Sequence, residues 1–436
     1  MQITVDLHSH SGASGGVGDI NFDDIYKAMR LKGIDVYGTG DCLFPKWLEY
    51  LKNRFTLNNG LLSAPEYSQK YFLLQTELIF TIPYQQPEDS SLFGTIDTGK
   101  RKSWHNVVLF PSFAACEETA KLLKKYQVKN TIGRPFVKAE SLEQLEKFLF
   151  ELQSIDPDIE VIPAHIFTPD GAFGSNNPIN NLKDLYGSFL PCINAVETGL
   201  SANPQALMMI PQLDNLSFVS FSDAHSGALN RLGREYTKLE IEEGAEKEIS
   251  CKKIIQAIRN HKVKKTCEFN MAEGRYFLTG HRQKPNHTQP FYCAPDKTPS
   301  GYKCPICGKR LTIGVLDRVY HVSQAQNEKE RVWGQSYGIT RSWQTLVPLI
   351  EVIAASTGLA SLPGKKINQI YRQAVSNFDG ETALWETESE EIANRLENSQ
   401  VNKKIINDII AVREGLFKFD PPGFDGCYGK LVIGCR

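Results

Sequence analysis

The sequence predicts an α/β chain: a distorted (β/α)7 barrel, then a small zinc-binding module, then a helical C-terminal segment that ends in a β-hairpin. Three observations carry this. Apolar strand-like runs alternate with helix-like runs through about residue 240. Histidines and acids stand at the carboxyl ends of those strand-like runs, the face on which a (β/α) barrel builds its active site. A close cysteine pair, Cys304 and Cys307, then marks a change of texture before helical spacing takes over. The expected boundaries are 1–245, 246–335 and 336–436.

The first strand, Ile3–Leu7, alternates apolar and polar positions and ends in V-D-L-H-S-H. Residues two apart on an extended chain share a side, so His8 and His10 can reach one metal ion. Phe22–Leu31 follows, with Ile25, Ala28 and Met29 at helical spacing. The strand Asp35–Thr39 leads to Asp41, Pro45–Asn53 is helical, and the strand Tyr71–Thr76 leads to Glu77. After a loop rich in Pro, Ser and Gly (83–99), Val107–Phe110 stands beside His105 and a helix covers Glu117–Tyr126. Ile159–Ile162 precedes His165, a further strand lies near Ile193–Glu197, and Phe218–Phe221 precedes Asp223 and His225. Any one of these histidines alone reads better as packing. All five before residue 260 adjoin a strand-like run, with acids in the same setting, and that predicts a metal cluster. Imidazole and carboxylate favour zinc, manganese or iron over calcium. The Gly-rich run Ser11–Gly18 lacks the P-loop lysine and the dinucleotide-fold spacing, and reads as an active-site loop.

The formal net charge of −1 hides a skew. Residues 251–350 carry 17 Lys+Arg against 6 Asp+Glu, so the rest of the chain sums to −12. A basic segment beside an acidic, metal-binding one suits a polyanionic substrate, with a solvated surface as the plainer alternative. There is no run of 18 apolar residues, so no membrane span is expected. The N-terminus has no basic and apolar secretory leader, and the ten cysteines are scattered; a cytoplasmic setting is expected.

Cys304-Pro-Ile-Cys307-Gly forms a knuckle whose glycine lets backbone amides turn toward the thiolates. With Cys293 upstream, three cysteines and one histidine would close a tetrahedral structural zinc site. The histidine is His287 or His281, with Cys267 a weaker choice. A redox C-x-x-C fits less well, because no βαβ pattern surrounds it. Lys303, Lys309, Arg310 and Arg318 lie around this module and are candidate phosphate contacts. Trp343–Ser356, Lys366–Phe378, Glu390–Leu396 and Lys403–Arg413 show helical spacing, and Gly358 and Gly415 stand where helix-ending glycines belong. The tail, Leu416–Ile433, has strand-like ends around a P-P-G-F-D-G turn. Trp47 and Phe44, beside Asp41, read as core.

These motifs resemble the polymerase and histidinol phosphatase (PHP) family of metal-dependent phosphoesterases. The residues that carry the likeness are D-L-H-S-H (Asp6–His10), Asp41 in G-T-G-D, Glu77 in Q-T-E, His105, P-A-H (Pro163–His165) and S-D-A-H (Ser222–His225). Within it the chain is similar to the endonuclease Q group of DNA repair nucleases. That likeness extends through G-D-C-L-F-P-K-W-L (Gly40–Leu48), V-E-T-G-L-S (Val196–Ser201), the C-P-I-C-G knuckle and P-P-G-F-D-G-C-Y-G (Pro421–Gly429). The resemblance implies a PHP barrel that nicks DNA 5′ of deaminated bases (uracil, hypoxanthine, xanthine) or abasic sites, with two or three divalent ions (Zn, Mn or Mg). It assigns His8, His10, Glu77 and Asp223 to one ion and His105 and His165, bridged by Glu77, to a second. Asp41 and His225 would serve a third, with Asp223, His225 and Glu77 central to catalysis. Asp41 stands where many PHP enzymes have histidine, and the loop after His10 offers only Ser and Gly; both weaken the third position. The alternatives are a small-molecule phosphatase of the histidinol-phosphate type, a non-catalytic DNA-binding subunit, and a nuclease serving a helicase-coupled or phage-defence complex.

Overall fold

Alternating Ile3 and Val5 place β1 (Gln2–Asp6) at the centre of the fold. The structure, a computed structural model, describes residues 1–14, 20–85, 101–242, 248–285, 287–326, 330–359 and 364–434. The Gly-rich run is thus described only to Ser14, and the 83–99 loop only to residue 85. β2 (Val36–Gly38) pairs parallel with β1, and β3 (Tyr71–Pro83) parallel with β2. β4 (Arg101–Phe110) returns antiparallel along β3 from Leu74↔Phe110 to Pro83↔Arg101. This hairpin departs from the expected uniform β/α repeat, and both strands outrun the six- and four-residue runs read from the sequence. A parallel neighbour needs a crossover, usually a helix, and the Pro-, Ser- and Gly-rich 83–99 segment has no helical pattern to supply one.

β5 (Glu160–Pro163) pairs antiparallel with β4. Beyond it, Ile166 N donates to Glu197 O at the end of β6 (Ala195–Glu197), which pairs parallel with β7 (Ser217–Val219). Past β7, Ala224 bridges Ser9 at the end of β1. Backbone bonding therefore passes through seven strands and returns to its start. Each of the seven gives a side chain to one buried cluster: Val5, Val36, Leu73, Val107, Ile162, Ala195 and Val219. Their neighbours, such as Phe72 and Leu74 on β3, point the other way into a second cluster against the helices. Full burial contributes roughly 1.5–3 kcal/mol per large apolar side chain. It also fixes register, because a one-residue slip would exchange the two clusters.

Helices α1 (Phe22–Lys32), α2 (Pro45–Arg54), α3 (Phe113–Lys125) and α4 (Leu142–Ile155) cover the strands. Asn21 caps α1 by accepting from Asp23 N, and Gly33 ends it at φ 82°. α3 begins four residues before the expected Glu117, because Ser112 caps it by accepting from Ala115 N. On the other side of β1, β8 (Tyr236–Glu240) pairs antiparallel, and α5 (Cys251–Arg259) leads to β9 (Val263–Phe269), antiparallel to β8. The expected boundary at 245 thus falls inside one sheet.

The knuckle region contains β10 (Thr279–His281), β11 (Phe291–Cys293) and α6 (Val315–Gln326). β12 (Trp343–Leu346) then rejoins the main sheet, parallel to β9, so the third segment shares that sheet as well. The helix expected over Trp343–Ser356 is instead this strand followed by α7 (Leu349–Thr357). Pro348 disfavours helical backbone at the residue before it, which separates the two. α8 (Lys365–Val375), α9 (Glu381–Glu386), α10 (Ser389–Asn398) and α11 (Lys403–Arg413) follow, and β13 (Phe417–Phe419) pairs antiparallel with β14 (Leu431–Ile433). No helix among the described residues is long and apolar enough to cross a membrane.

Candidate metal centre and the cleft above it

Side chains just past the ends of β1, β5 and β7, with Glu77 and His105 from the middle of β3 and β4, meet above the seven-strand cluster. Donor atoms of His8, His10 and Asp223 lie within 4.8 Å of one another, and so do those of His8, Glu77 and His165. His10 Nε2 is 3.0 Å from Asp223 Oδ1, and Glu77 Oε1 is 2.6 Å from His105 Nδ1 and 3.3 Å from His165 Nε2. His8 Nε2 stands 3.8 Å from Glu77 Oε1 and 3.6 Å from Asp223 Oδ1. His8 Nε2 and Glu77 Oε2 are buried with no hydrogen-bond partner. Two orphaned donor atoms in one buried set of imidazoles and carboxylates fit divalent ions. His8 belongs to both groups, so it joins them as much as Glu77 does.

The electrostatics agree. Burial disfavours the charge of His10, but Asp223, Asp41 and Glu77 outweigh it and raise its pKa to about 10. His165 rises to about 9, with Glu77 and Asp223 overcoming burial. Burial also opposes the charges of Glu77 and Asp223, yet the surrounding histidines hold both well below the usual carboxylate range. The anionic charge that draws protons onto these rings is the charge that would hold a cation. Asp41, His165 and Asp223 adopt left-handed φ of 46°, 29° and 47°, a conformation that non-glycine residues keep only where the surroundings impose it.

Asp41 and His225 differ from the other expected ligands. Asp41 lies outside both donor groups; its carboxylate accepts from Ser11 N (2.7 Å) and Ser14 Oγ (2.9 Å) and stands 3.6 Å from His10 Nδ1. The serines after His10 thus occupy the acid that would have served a third ion. His225 is exposed at the mouth, with Nδ1 2.9 Å from Asp223 O. A carbonyl only accepts, so that nitrogen carries the proton and Nε2 is left to accept or ligate. Partial desolvation against the cleft wall, helped by the charge of His10, lowers its pKa and favours the neutral ring near pH 7.

Glu197 was not among the expected site residues. Its carboxylate binds His8 Nδ1 at 2.9 and 3.1 Å and accepts from His165 N at 2.7 Å, fixing the tautomer and position of two candidate ligands. Its signal was present, since A-V-E-T-G closes an apolar run in the sequence as Q-T-E does. Arg134, Arg231, Arg234, Arg275 and Tyr428 line the same cavity of about 470 Å³ and were also unforeseen. Trp47 donates to Gly40 O at 2.9 Å and stacks on Phe22, as a core residue does.

At the knuckle, donor atoms of His281, His287, Cys304 and Cys307 lie within 4.8 Å of one another. His287 Nε2 is 3.1 Å from Cys304 Sγ, and Cys307 Sγ is 3.3 Å from His281 Nδ1. Burial opposes the Cys304 thiolate, but His287 and two backbone amides lower its pKa to about 6. Both histidines are present and Cys293 is not. Cys293 pairs with Thr279, two residues or about 6.6 Å along the ladder from His281, and its thiol faces Thr279 O and Thr298 Oγ1. Cys267 is buried on β9, outside this group. Lys303, Lys309 and Arg310 are exposed. Arg318 is not: it is fully buried, donating to Phe173 O, Ile179 O and Asn180 Oδ1, and cannot reach a phosphate.

Known structures share this fold end to end. A structure of endonuclease Q in complex with a 27-mer duplex substrate bearing an abasic lesion at its active site superposes with a TM-score of 0.77. It is 25% identical, over 99% of this chain and 97% of that one. The chain has the fold of endonuclease Q. The lesion-specific endonuclease Q of Pyrococcus furiosus gives a TM-score of 0.76 at 27% identity, over 99% and 96%. Among curated proteins, the chain is 29% identical over 259 residues to the uncharacterized protein MJ0043 of Methanocaldococcus jannaschii. That match takes in 58% of this chain but only 31% of the relative. The uncharacterized protein YqxK of Bacillus subtilis is 25% identical over 338 residues, 74% of this chain and 77% of that protein. No protein-family model matches the sequence. The chain thus resembles endonuclease Q along nearly its whole length.

Proposed function

We propose that the chain is a metal-dependent DNA endonuclease of the PHP type, which hydrolyses the phosphodiester 5′ of a deaminated base or an abasic site. The observation that carries this reading is the convergence of His8, His10, Glu77, His165 and Asp223 at one end of the seven-strand ring, in a fold matched end to end by endonuclease Q. His8, His10, Glu77 and Asp223 would hold one ion, and Glu77, His105 and His165 a second. Such ions supply Lewis-acid stabilisation of phosphoryl oxygens and lower the pKa of water toward about 7.

The chain's own groups do the rest. Glu197 holds His8 and the His165 backbone in place. His225, neutral and exposed at the mouth, is placed to take a proton at Nε2 or to add a ligand. Cleavage on the 5′ side leaves 3′-hydroxyl and 5′-phosphate ends. A damaged base would leave the stack at a cost of a few kcal/mol, less where it is already mispaired. Lys303, Lys309 and Arg310 would hold phosphates around a knuckle closed by one structural zinc. The nine described cysteines are free thiols, which supports a cytoplasmic setting.

Incubation of the chain with labelled duplexes carrying uracil, hypoxanthine, xanthine, an abasic site or no lesion, with manganese or magnesium, tests this. Nicking confined to lesion-bearing strands is expected. Turnover of a simple phosphate monoester with no nicking would transfer the site to the small-molecule phosphatase reading.

A further inference from the structure

The tail loop Pro421–Gly429 is strapped across residues 272–278. Gly423 N donates to Ala272 O (2.6 Å), Leu278 N to Gly423 O (3.0 Å), Gly426 N to Arg275 O (2.9 Å) and Gly429 N to Glu273 O (2.9 Å). The approach leaves no room for side chains: a Cβ on Gly423 would collide with Gly274 O, and one on Gly429 with Ala272 O. This strap delivers Tyr428 to the wall of the metal cleft, 39% exposed, more than 190 residues in sequence from Asp223.

Three arginines meet it there. Arg231 Nη1 donates to Tyr428 Oη at 3.1 Å, and the guanidinium carbons of Arg231 and Arg275 lie 5.4 and 5.6 Å from the ring centroid. Arg234, 5% exposed, donates from Nε to Ser222 O, while its Nη1 is buried without a partner. None of the three is in an ion pair among the described residues. The charge of Glu273, an acid that senses Arg231 and Arg234, is opposed by burial and by Glu351, which raise its pKa. An aromatic face holds a guanidinium while leaving its N–H edge available, and the geometry of that edge matches phosphate. Cations that no acid neutralises, beside a centre that would bind the scissile phosphate, call for a second anion.

We propose that the C-terminal strap is part of the substrate site. Tyr428 sets Arg231 and Arg275, with Arg234 behind them, as a clamp for the backbone phosphate next to the one cleaved. This rests on the nuclease reading above, and Tyr428 is a positioning residue. The full-length chain and its Arg275→Ala, Arg275→Lys, Tyr428→Ala and Tyr428→Phe variants are compared on one uracil-containing duplex. The readouts are KM, kcat and the slope of log affinity against log salt. Arg275→Ala is expected to raise KM about tenfold, far more than it lowers kcat, and to flatten the salt slope by about 0.9. Arg275→Lys should restore the slope but not KM, because an ammonium keeps the charge and loses the fork. Tyr428→Ala should behave as Arg275→Ala does, with Tyr428→Phe recovering most of the loss. A KM and slope equal to those of the unaltered chain in Arg275→Ala, or a fall confined to kcat, overturns the clamp. If the unaltered chain binds the duplex but nicks nothing, the nuclease reading fails, and the binding slopes still decide the clamp.

Discussion

Asp223 touches His10 and stands near His8, so its loss removes the acid around which one donor group is built. Asp223→Ala is expected to cut nicking at least a thousandfold while duplex binding, measured by anisotropy, persists; nicking at the unaltered rate would show the ligand assignment to be wrong. Glu197 acts one step away. Glu197→Gln keeps the shape but loses the charge behind His8 Nδ1, and outer-shell changes of this kind cost roughly 10–100-fold in metal affinity. Metal titration by calorimetry reads it, and unchanged affinity would mean that His8 needs no orienting acid. Arg318 shows where a sequence reading of single residues stops. Its charge and its place near the knuckle matched Lys309 and Arg310, and neither reveals burial. With three oxygen acceptors left bare, Arg318→Ala is expected to cost about 3–5 kcal/mol in urea unfolding. Lys309→Ala should leave stability unchanged and flatten the salt slope of DNA binding.

At the scale of elements, the knuckle gives the sharpest test, because sequence and structure disagree about one ligand. The C-P-I-C pair was legible, since two thiolates and a turn-making glycine lie within five residues. One histidine was legible, His287 or His281, but not that both would stand at the knuckle, because they approach each other only when β10 pairs with β11. His281→Ala and Cys307→Ala are expected to lower bound zinc from about one to near zero per chain, by elemental analysis after dialysis. Cys293→Ser should keep its zinc, and loss of the metal there would restore the three-cysteine site. Candidate ligands beside apolar strand-like runs were legible for the same reason as the cysteine pair: the pattern is local. The β3–β4 hairpin and the β12–α7 break were harder. Direction of pairing depends on a connection, and a single proline decides the break.

For the molecule as a whole, the seven-strand succession could be read from alternation of strand and helix. The reach of the sheet across all three expected segments could not, because 74 residues separate the end of β9 at Phe269 from the start of β12 at Trp343, and packing alone sets that pairing. That packing brings three acids together beneath the candidate metal centre. Glu268 on β9 accepts from Thr198 Oγ1 (2.9 Å) and Ser220 Oγ (2.7 Å), and Glu235 and Glu197 stand near it. Burial, with the neighbouring carboxylate of Glu197, raises Glu268 to about 7, and burial with Glu268 and Glu197 raises Glu235 well above its ordinary value. The folded chain therefore holds protons that the unfolded chain releases near pH 4.5. A raised carboxyl contributes stability that is complete below the unfolded pKa and is lost as pH rises through the folded one, here between about 4.5 and 7. Glu268→Gln keeps a neutral side chain at every pH. Unfolding in urea with a chelator present, so that metal release adds no pH dependence of its own, is expected to give similar stability to the unaltered chain at pH 5. At pH 8 the variant should be more stable by on the order of 1–3 kcal/mol. An equal loss at both pH values would mean that Glu268 is held as a charged group and that the hydroxyls of Thr198 and Ser220 are there to serve its charge.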